Sequence, residues 1–145
     1  MDKDVEILLV EDSSSDAEMT IDALQMGGFR HKIFHLKNGA LALDYLFGEG
    51  AYINHKIVRY PRVILLDLKM PKISGIEVLR IIRADERTKR IPVVILTSSR
   101  EDPDMQQCYD IGVNSYVVKP VEFDQFQKEI SDLGLYWMVM NQQPQ

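Results

Sequence analysis

The sequence predicts an α/β protein with a five-stranded parallel sheet, on three observations. Short runs of branched apolar residues alternate with segments of helical periodicity over the whole length, the order expected of repeated strand–helix units. Three of these runs, VEILLV (5–10), RVILLD (62–67) and PVVILT (92–97), are apolar almost without a break, as strands covered on both faces are. Two more, KIFHLK (32–37) and SYVVK (115–119), are shorter or more polar and belong at the outside of the sheet.

The segments between the strands carry helix signals. After the first strand, Ser15 and Glu18 have capping-box spacing; Ala17, Ile21 and Leu24 form an apolar stripe, and Gly27 and Gly28 end it. A very apolar segment, 39–47, follows the second strand. The third strand leads to a helix over 75–84 with Ile76, Leu79 and Ile82 on one face. The fourth leads to a weaker helix over 104–111, closed by Gly112. The last helix starts near Glu122 and keeps i, i+3/i+4 spacing through Phe123, Phe126, Ile130, Leu133 and Trp137. Only residues 48–61 exceed the usual length of a helix-to-strand connection, which makes that loop a candidate partner contact. Within it, Tyr52 and His55 are expected to be solvated more readily than bound.

Composition narrows the function. At 145 residues, 46% hydrophobic and 27% charged, the chain suits one soluble domain, residues 1–145, with a core over about 5–140 and a flexible tail at 141–145. A formal net charge of -5 argues against direct nucleic-acid binding, which draws on Lys and Arg. Cys108 is the only cysteine, so there is no intramolecular disulfide and no cysteine-based zinc site. The acidic start MDKDVEILLVED holds no secretion signal and no run long enough to span a membrane, so the cytoplasm is expected.

Ligands of open parallel sheets bind at the carboxyl ends of the strands. Here those ends carry Glu11 and Asp12, then Asp67, Thr97 and Lys119. An isolated acid after a strand most often caps the next helix. That duty is already open to SSSD (13–16), and LKMPKISG after Asp67 starts no helix at once. Two carboxylates about 5 Å apart repel by roughly 3 kcal/mol at an effective dielectric near 20, so three clustered ones hold about 10 kcal/mol. Such a cluster must take up a proton or a cation. Oxygen donors with no thiolate or imidazole favour a hard ion, and magnesium suits a site of a few carboxylates plus a phosphate. A phosphate would also use Lys119 as counter-charge and Thr97 as donor. Among the acids Asp67 is best placed as nucleophile, since its backbone is fixed by a buried strand.

The fragments EILLVEDS, VILLDLKMPKISG, IPVVILTSS and SYVVKP, in that order, closely resemble the receiver domain of two-component response regulators over about residues 5–137. That resemblance implies a doubly wound, flavodoxin-like (CheY-like) three-layer sandwich with strand order 2-1-3-4-5. By matching motif it implies Asp67 as phosphoacceptor, with Glu11, Asp12, Asp67 and the Lys69 backbone carbonyl holding Mg2+. Thr97 matches the switch hydroxyl, Lys119 the lysine that pairs with the phosphoryl group, and Tyr116 the aromatic that swings inward. The implied partner is a sensor histidine kinase. The segment IPVVILTSSREDPDMQQCYDIGVNSYVVKPVEFDQF and the ending LYWMVM bring the resemblance closest to stand-alone, phytochrome-associated (Rcp-type) regulators.

A haloacid-dehalogenase-type phosphatase is the enzyme-class rival, but that family resembles D-x-D at the nucleophile and here the second position is Lys69. Without that acid, fast turnover is not expected, and the chain reads as a phosphoacceptor rather than an enzyme. A binding module that never meets phosphate is the third reading, and the intact acid cluster argues against it. No output domain is expected after the last helix, and signal is expected to leave by protein contact. LYWMVM (135–140) is apolar on every helical face and predicts a homodimer through the last helix. His31 and His35 do not share a helix face and are not expected to bind metal.

Overall fold

The computed structural model describes residues 5–26, 33–54, 60–98, 105–122, 124–126 and 128. Five strands, β1 (Ile7–Val10), β2 (Ile33–Leu36), β3 (Val63–Asp67), β4 (Val93–Thr97) and β5 (Ser115–Val118), form one all-parallel sheet in the order β2-β1-β3-β4-β5. Helices α1 (Ser14–Met26), α2 (Gly39–Phe47), α3 (Gly75–Ala84) and α4 (Met105–Ile111) alternate with them. Residues 124–126 and 128 are helical. The rest of the predicted last helix, with its proposed dimer face, lies outside the described residues, as do His31 and His55.

The continuous apolar runs have a direct structural reason. Every residue of β1, β3 and β4 is buried, and successive side chains enter opposite cores. Leu8, Ile64, Leu66 and Ile95 pack with Ala42 and Leu46 of α2 and Val78, Leu79 and Ile82 of α3. Ile7, Leu9, Leu65 and Leu96 pack with Ala17 and Leu24 of α1 and with Phe126. Each fully buried Leu, Ile or Val is worth about 1.5–3 kcal/mol, so the central strands tolerate no polar alternation.

Two expectations need correction. The first helix begins at Ser14, and its cap is Ser13, whose Oγ accepts the Asp16 backbone N–H at 3.2 Å. The three consecutive serines are equally good caps by type, and the shortness of the turn after β1 selects the first of them. Tyr52 is not a solvated loop residue either. A short 3-10 turn, Gly50–Tyr52, carries it edge-on against Tyr45 at 5.3 Å and Phe34 at 6.5 Å. Phe34 and Tyr45 complete the trio at 5.1 Å, and such edge-to-face pairs add about 0.5–1.5 kcal/mol beyond area burial.

At the amino end of the sheet, Arg83 joins three segments. Its Nε donates to the Gly112 carbonyl at 2.8 Å, its Nη1 to Ile91 at 2.7 Å and Lys89 at 3.2 Å, and its Nη2 to Asn114 Oδ1 at 2.8 Å. Asn114 Oδ1 also accepts the Val93 N–H at 2.8 Å. Arg83→Met would keep much of the stem while removing every one of these donors. Urea denaturation of that variant is expected to show a loss of about 2–4 kcal/mol, and a loss below about 0.5 kcal/mol would mean that water replaces the guanidinium. Among the described residues no helix is long and apolar enough to cross a membrane.

Candidate functional site

The strand order sets the site. Because β1 and β3 pair with Val10 opposite Leu66, the next residues, Glu11 and Asp67, leave the sheet side by side. Asp67 also pairs with Leu96 of β4, which places Thr97 one residue further on the neighbouring strand. Thr97 in turn lies opposite Val118, and the Lys119 backbone N–H donates to the Thr97 carbonyl at 2.7 Å. Four separate strands thus deliver their polar ends to one edge.

Burial divides the acids. Glu11 is fully buried and Asp67 is 4% exposed, whereas Asp12 faces solvent. Even so, one carboxylate oxygen from each of Glu11, Asp12 and Asp67 lies within 4.8 Å of the others. Glu11 is held from two sides. Its Oε2 accepts the Ser13 N–H at 3.2 Å and its Oε1 accepts from Lys119 Nζ at 3.2 Å. His35 Nε2 donates to the Glu11 carbonyl at 2.8 Å, a structural bond rather than a metal contact.

Lys119 is shared among three carboxylates. Besides Glu11, its Nζ reaches Asp16 Oδ2 at 3.1 Å and Asp67 Oδ1 at 3.3 Å. Burial alone would depress the ammonium, but the charge of Asp67, the hydrogen bond to Asp16 and the charge of Glu11 outweigh it and hold Lys119 above the usual lysine range. Asp67 is raised as well, which for an acid favours the neutral form. Burial, then the charge of Glu11 and a shared hydrogen bond with it, raise its carboxyl to about 7 against the partial relief from Lys119. A carboxyl pushed that far gains from any positive charge placed beside it. The donor set is all hard oxygen, so these three residues fit a hard divalent cation.

The loop after Asp67 is packed without slack. A Cβ on Gly75, the first residue of α3, would lie 2.3 Å from the Asp67 carbonyl oxygen and 2.8 Å from Leu68 Cα. The Gly75 N–H donates to the Leu68 carbonyl at 2.9 Å, and Ser74 caps α3 by accepting the Glu77 N–H. Lys69 is exposed in this loop. Tyr116 is half-buried in β5 opposite Ile95, edge-on to Tyr109 of α4 at 6.2 Å.

Asp16 joins the predicted set unannounced. By sequence alone Asp16 reads as a helix cap, although an acid in the first turn of a helix that begins at the sheet's carboxyl edge is within reach of whatever cation lies there.

Comparisons with known proteins agree with this arrangement. A family model described as the response regulator receiver domain matches residues 7–131. The probable methanogenesis regulatory protein FilR2 of Methanothrix harundinacea is 40% identical over 139 residues, 95% of this chain and 86% of that protein. Response regulator Rcp1 of Synechocystis sp. is 36% identical over 132 residues, 91% of this chain and 88% of that one. The crystal structure of the Mn(2+)-bound form of response regulator Rcp1 has a TM-score of 0.72 at 34% identity, covering 96% of this chain and 98% of the other. The bacteriophytochrome response regulator RtBRR has a TM-score of 0.85 at 48% identity, covering 97% and 84%.

Proposed function

The chain belongs to the response regulator receiver family, and on that premise we propose that it is a single-domain phosphoacceptor of a two-component relay, acting in the cytoplasm. Asp67 takes a phosphoryl group from the phosphohistidine of a sensor kinase. The observation that carries this reading is the geometry at Asp67: buried at the end of β3, with a carboxylate oxygen within 4.8 Å of oxygens of Glu11 and Asp12 and Oδ1 3.3 Å from Lys119 Nζ.

The chemistry follows from those residues. An Asp67 carboxylate oxygen attacks phosphorus, the P–N bond to the kinase imidazole breaks, and its electron pair stays on the leaving ring. An acyl phosphate results. Glu11, Asp12, Asp67 and the Lys69 backbone carbonyl are the groups that would hold Mg2+. When bound, Mg2+ supplies charge neutralisation between the carboxylates and the phosphoryl oxygens. Lys119 provides a second positive charge, and the Thr97 hydroxyl donates to a phosphoryl oxygen. Drawing Thr97 inward frees space beside β5 for Tyr116, and the surface around α4 and β5 becomes the readout. Lys69, where a phosphatase of the D-x-D kind carries its general acid, leaves hydrolysis slow.

The likeness to RtBRR and Rcp1 supports a phytochrome-type histidine kinase as partner. The predicted homodimer through the last helix belongs to the same proposal, and a monomeric mass in dilute solution with and without phosphorylation would remove it. The test of the acceptor itself is intact mass after incubation with acetyl phosphate. Wild type with Mg2+ is expected to gain one phosphoryl group, and neither Asp67→Asn nor wild type in EDTA should gain any. Sustained multiple turnover of the donor would replace this reading with a phosphatase, and no adduct in any sample would replace it with a binding module.

A further inference from the structure

Among the described residues Lys119 has three acidic partners, and one of them stands outside the cation-binding group. Its Nζ lies 3.1 Å from Asp16, 3.2 Å from Glu11 and 3.3 Å from Asp67. Glu11 and Asp67 belong with Asp12 to the set whose oxygens converge within 4.8 Å; Asp16 does not. A divalent cation at that set draws on the same carboxylates that attract Lys119, and it repels the ammonium directly. Asp16 is then the only one of the three partners whose charge remains wholly available to it.

Without such a tether Lys119 has room to leave. A cavity of about 250 Å3 lies between α1 and the end of β5, lined by Asp16, Met19, Thr20, Ser98, Lys119 and Pro120. The Asp16 carboxylate is 41% exposed and the lysine side chain 17%, so the pair forms part of the cavity wall. Nor is the carboxylate occupied by its own helix, since the cap bond joins the Asp16 backbone N–H to Ser13 Oγ.

We propose that Asp16 is a positioning residue that keeps the Lys119 ammonium beside Asp67 when a divalent cation takes up Glu11, Asp12 and Asp67, so that Lys119 meets the incoming phosphoryl group. This rests on the phosphoacceptor reading. Asp16 touches no reacting atom and acts only through Lys119.

The experiment compares the full chain with Asp16→Asn, Asp16→Glu, Lys119→Met and the Asp16→Asn/Lys119→Met double variant. The first readout is the rate of adduct formation from acetyl phosphate at saturating Mg2+, by intact mass. Asp16→Asn is expected to slow the rate about fivefold, the upper range for a partly exposed ion pair, while Asp16→Glu stays near wild type. In the Lys119→Met background Asp16→Asn should have no further effect. The second readout needs no donor: the lysine side-chain NMR signal of Lys119 in Mg2+. It is expected to stay ordered in wild type and to broaden in Asp16→Asn. Equal rates for wild type and Asp16→Asn, a fivefold loss that persists without Lys119, or a Lys119 signal indifferent to Asp16→Asn would each overturn the proposal. A wild type that forms no adduct, beside a Lys119 signal that does respond, would overturn the phosphoacceptor reading and leave the tether standing.

Discussion

Asp67→Asn is expected to make the metal-free protein more stable above neutral pH, although it removes the central group of the site. Asparagine stands in for the protonated acid. In the folded chain the Asp67 carboxyl is raised from the usual 3.8 to about 7, chiefly by burial and then by Glu11. Between those values the folded state holds a proton that the unfolded state has lost, so wild-type stability falls as pH rises through that window. Below about pH 4 both states are protonated and the penalty is absent; above about pH 7 it is complete and level. A separation of about three pH units sets a ceiling of roughly 4 kcal/mol, and an effect of about 2–4 kcal/mol is expected at pH 8. Urea denaturation in EDTA at pH 4, 6 and 8 would check it, since the two proteins should diverge as pH rises. Mg2+ should then restore the wild type and do little for the variant. Parallel stability profiles in EDTA would show that Asp67 ionises at an ordinary value.

Gly75→Ala is expected to be strongly destabilising for a reason that helix propensity alone would get backwards. In an exposed helix the change gains about 1 kcal/mol. Here the new Cβ would sit 2.3 Å from the Asp67 carbonyl oxygen and 2.8 Å from Leu68 Cα, and both neighbours are backbone, so no side chain can rotate away. Either α3 lifts from the sheet or the end of β3 moves. A net loss of about 2–4 kcal/mol is expected in urea denaturation, with slower phosphorylation by acetyl phosphate because the strand end that carries Asp67 is the part displaced. An alanine variant more stable than wild type would show that the loop relaxes freely.

How much of this was legible in the sequence depends on the range of the contact involved. The runs that became β1, β3 and β4 could be read because each buried position needs an apolar residue whichever core it enters. The fourth helix was foreseen to within a residue, with Gly112, at φ 119, at its end. Strand order was a different matter: nothing in a local pattern says that β1 lies between β2 and β3, and the order came only from the family resemblance. The meeting of Glu11, Asp12 and Asp67 depended on that order. Asp16 and Tyr52 escaped for the same reason. The partner of Asp16 is 103 residues away, and Tyr52 finds its place against rings on β2 and α2 that no periodicity in its own loop could reveal. Which of the serines from 13 to 15 caps the first helix turns on geometry alone, since by type all of them qualify, and Ser13 rather than Ser15 takes the place.

The Arg83 guanidinium gives the molecule a fulcrum. By holding the carbonyl of Gly112 it pins the trailing end of α4 to α3, at the opposite edge of the sheet from Asp67 and Thr97. If Thr97 shifts on phosphorylation as proposed, the clamp on the Gly112 carbonyl leaves the Met105 end of α4 the freer of its two ends to move with it.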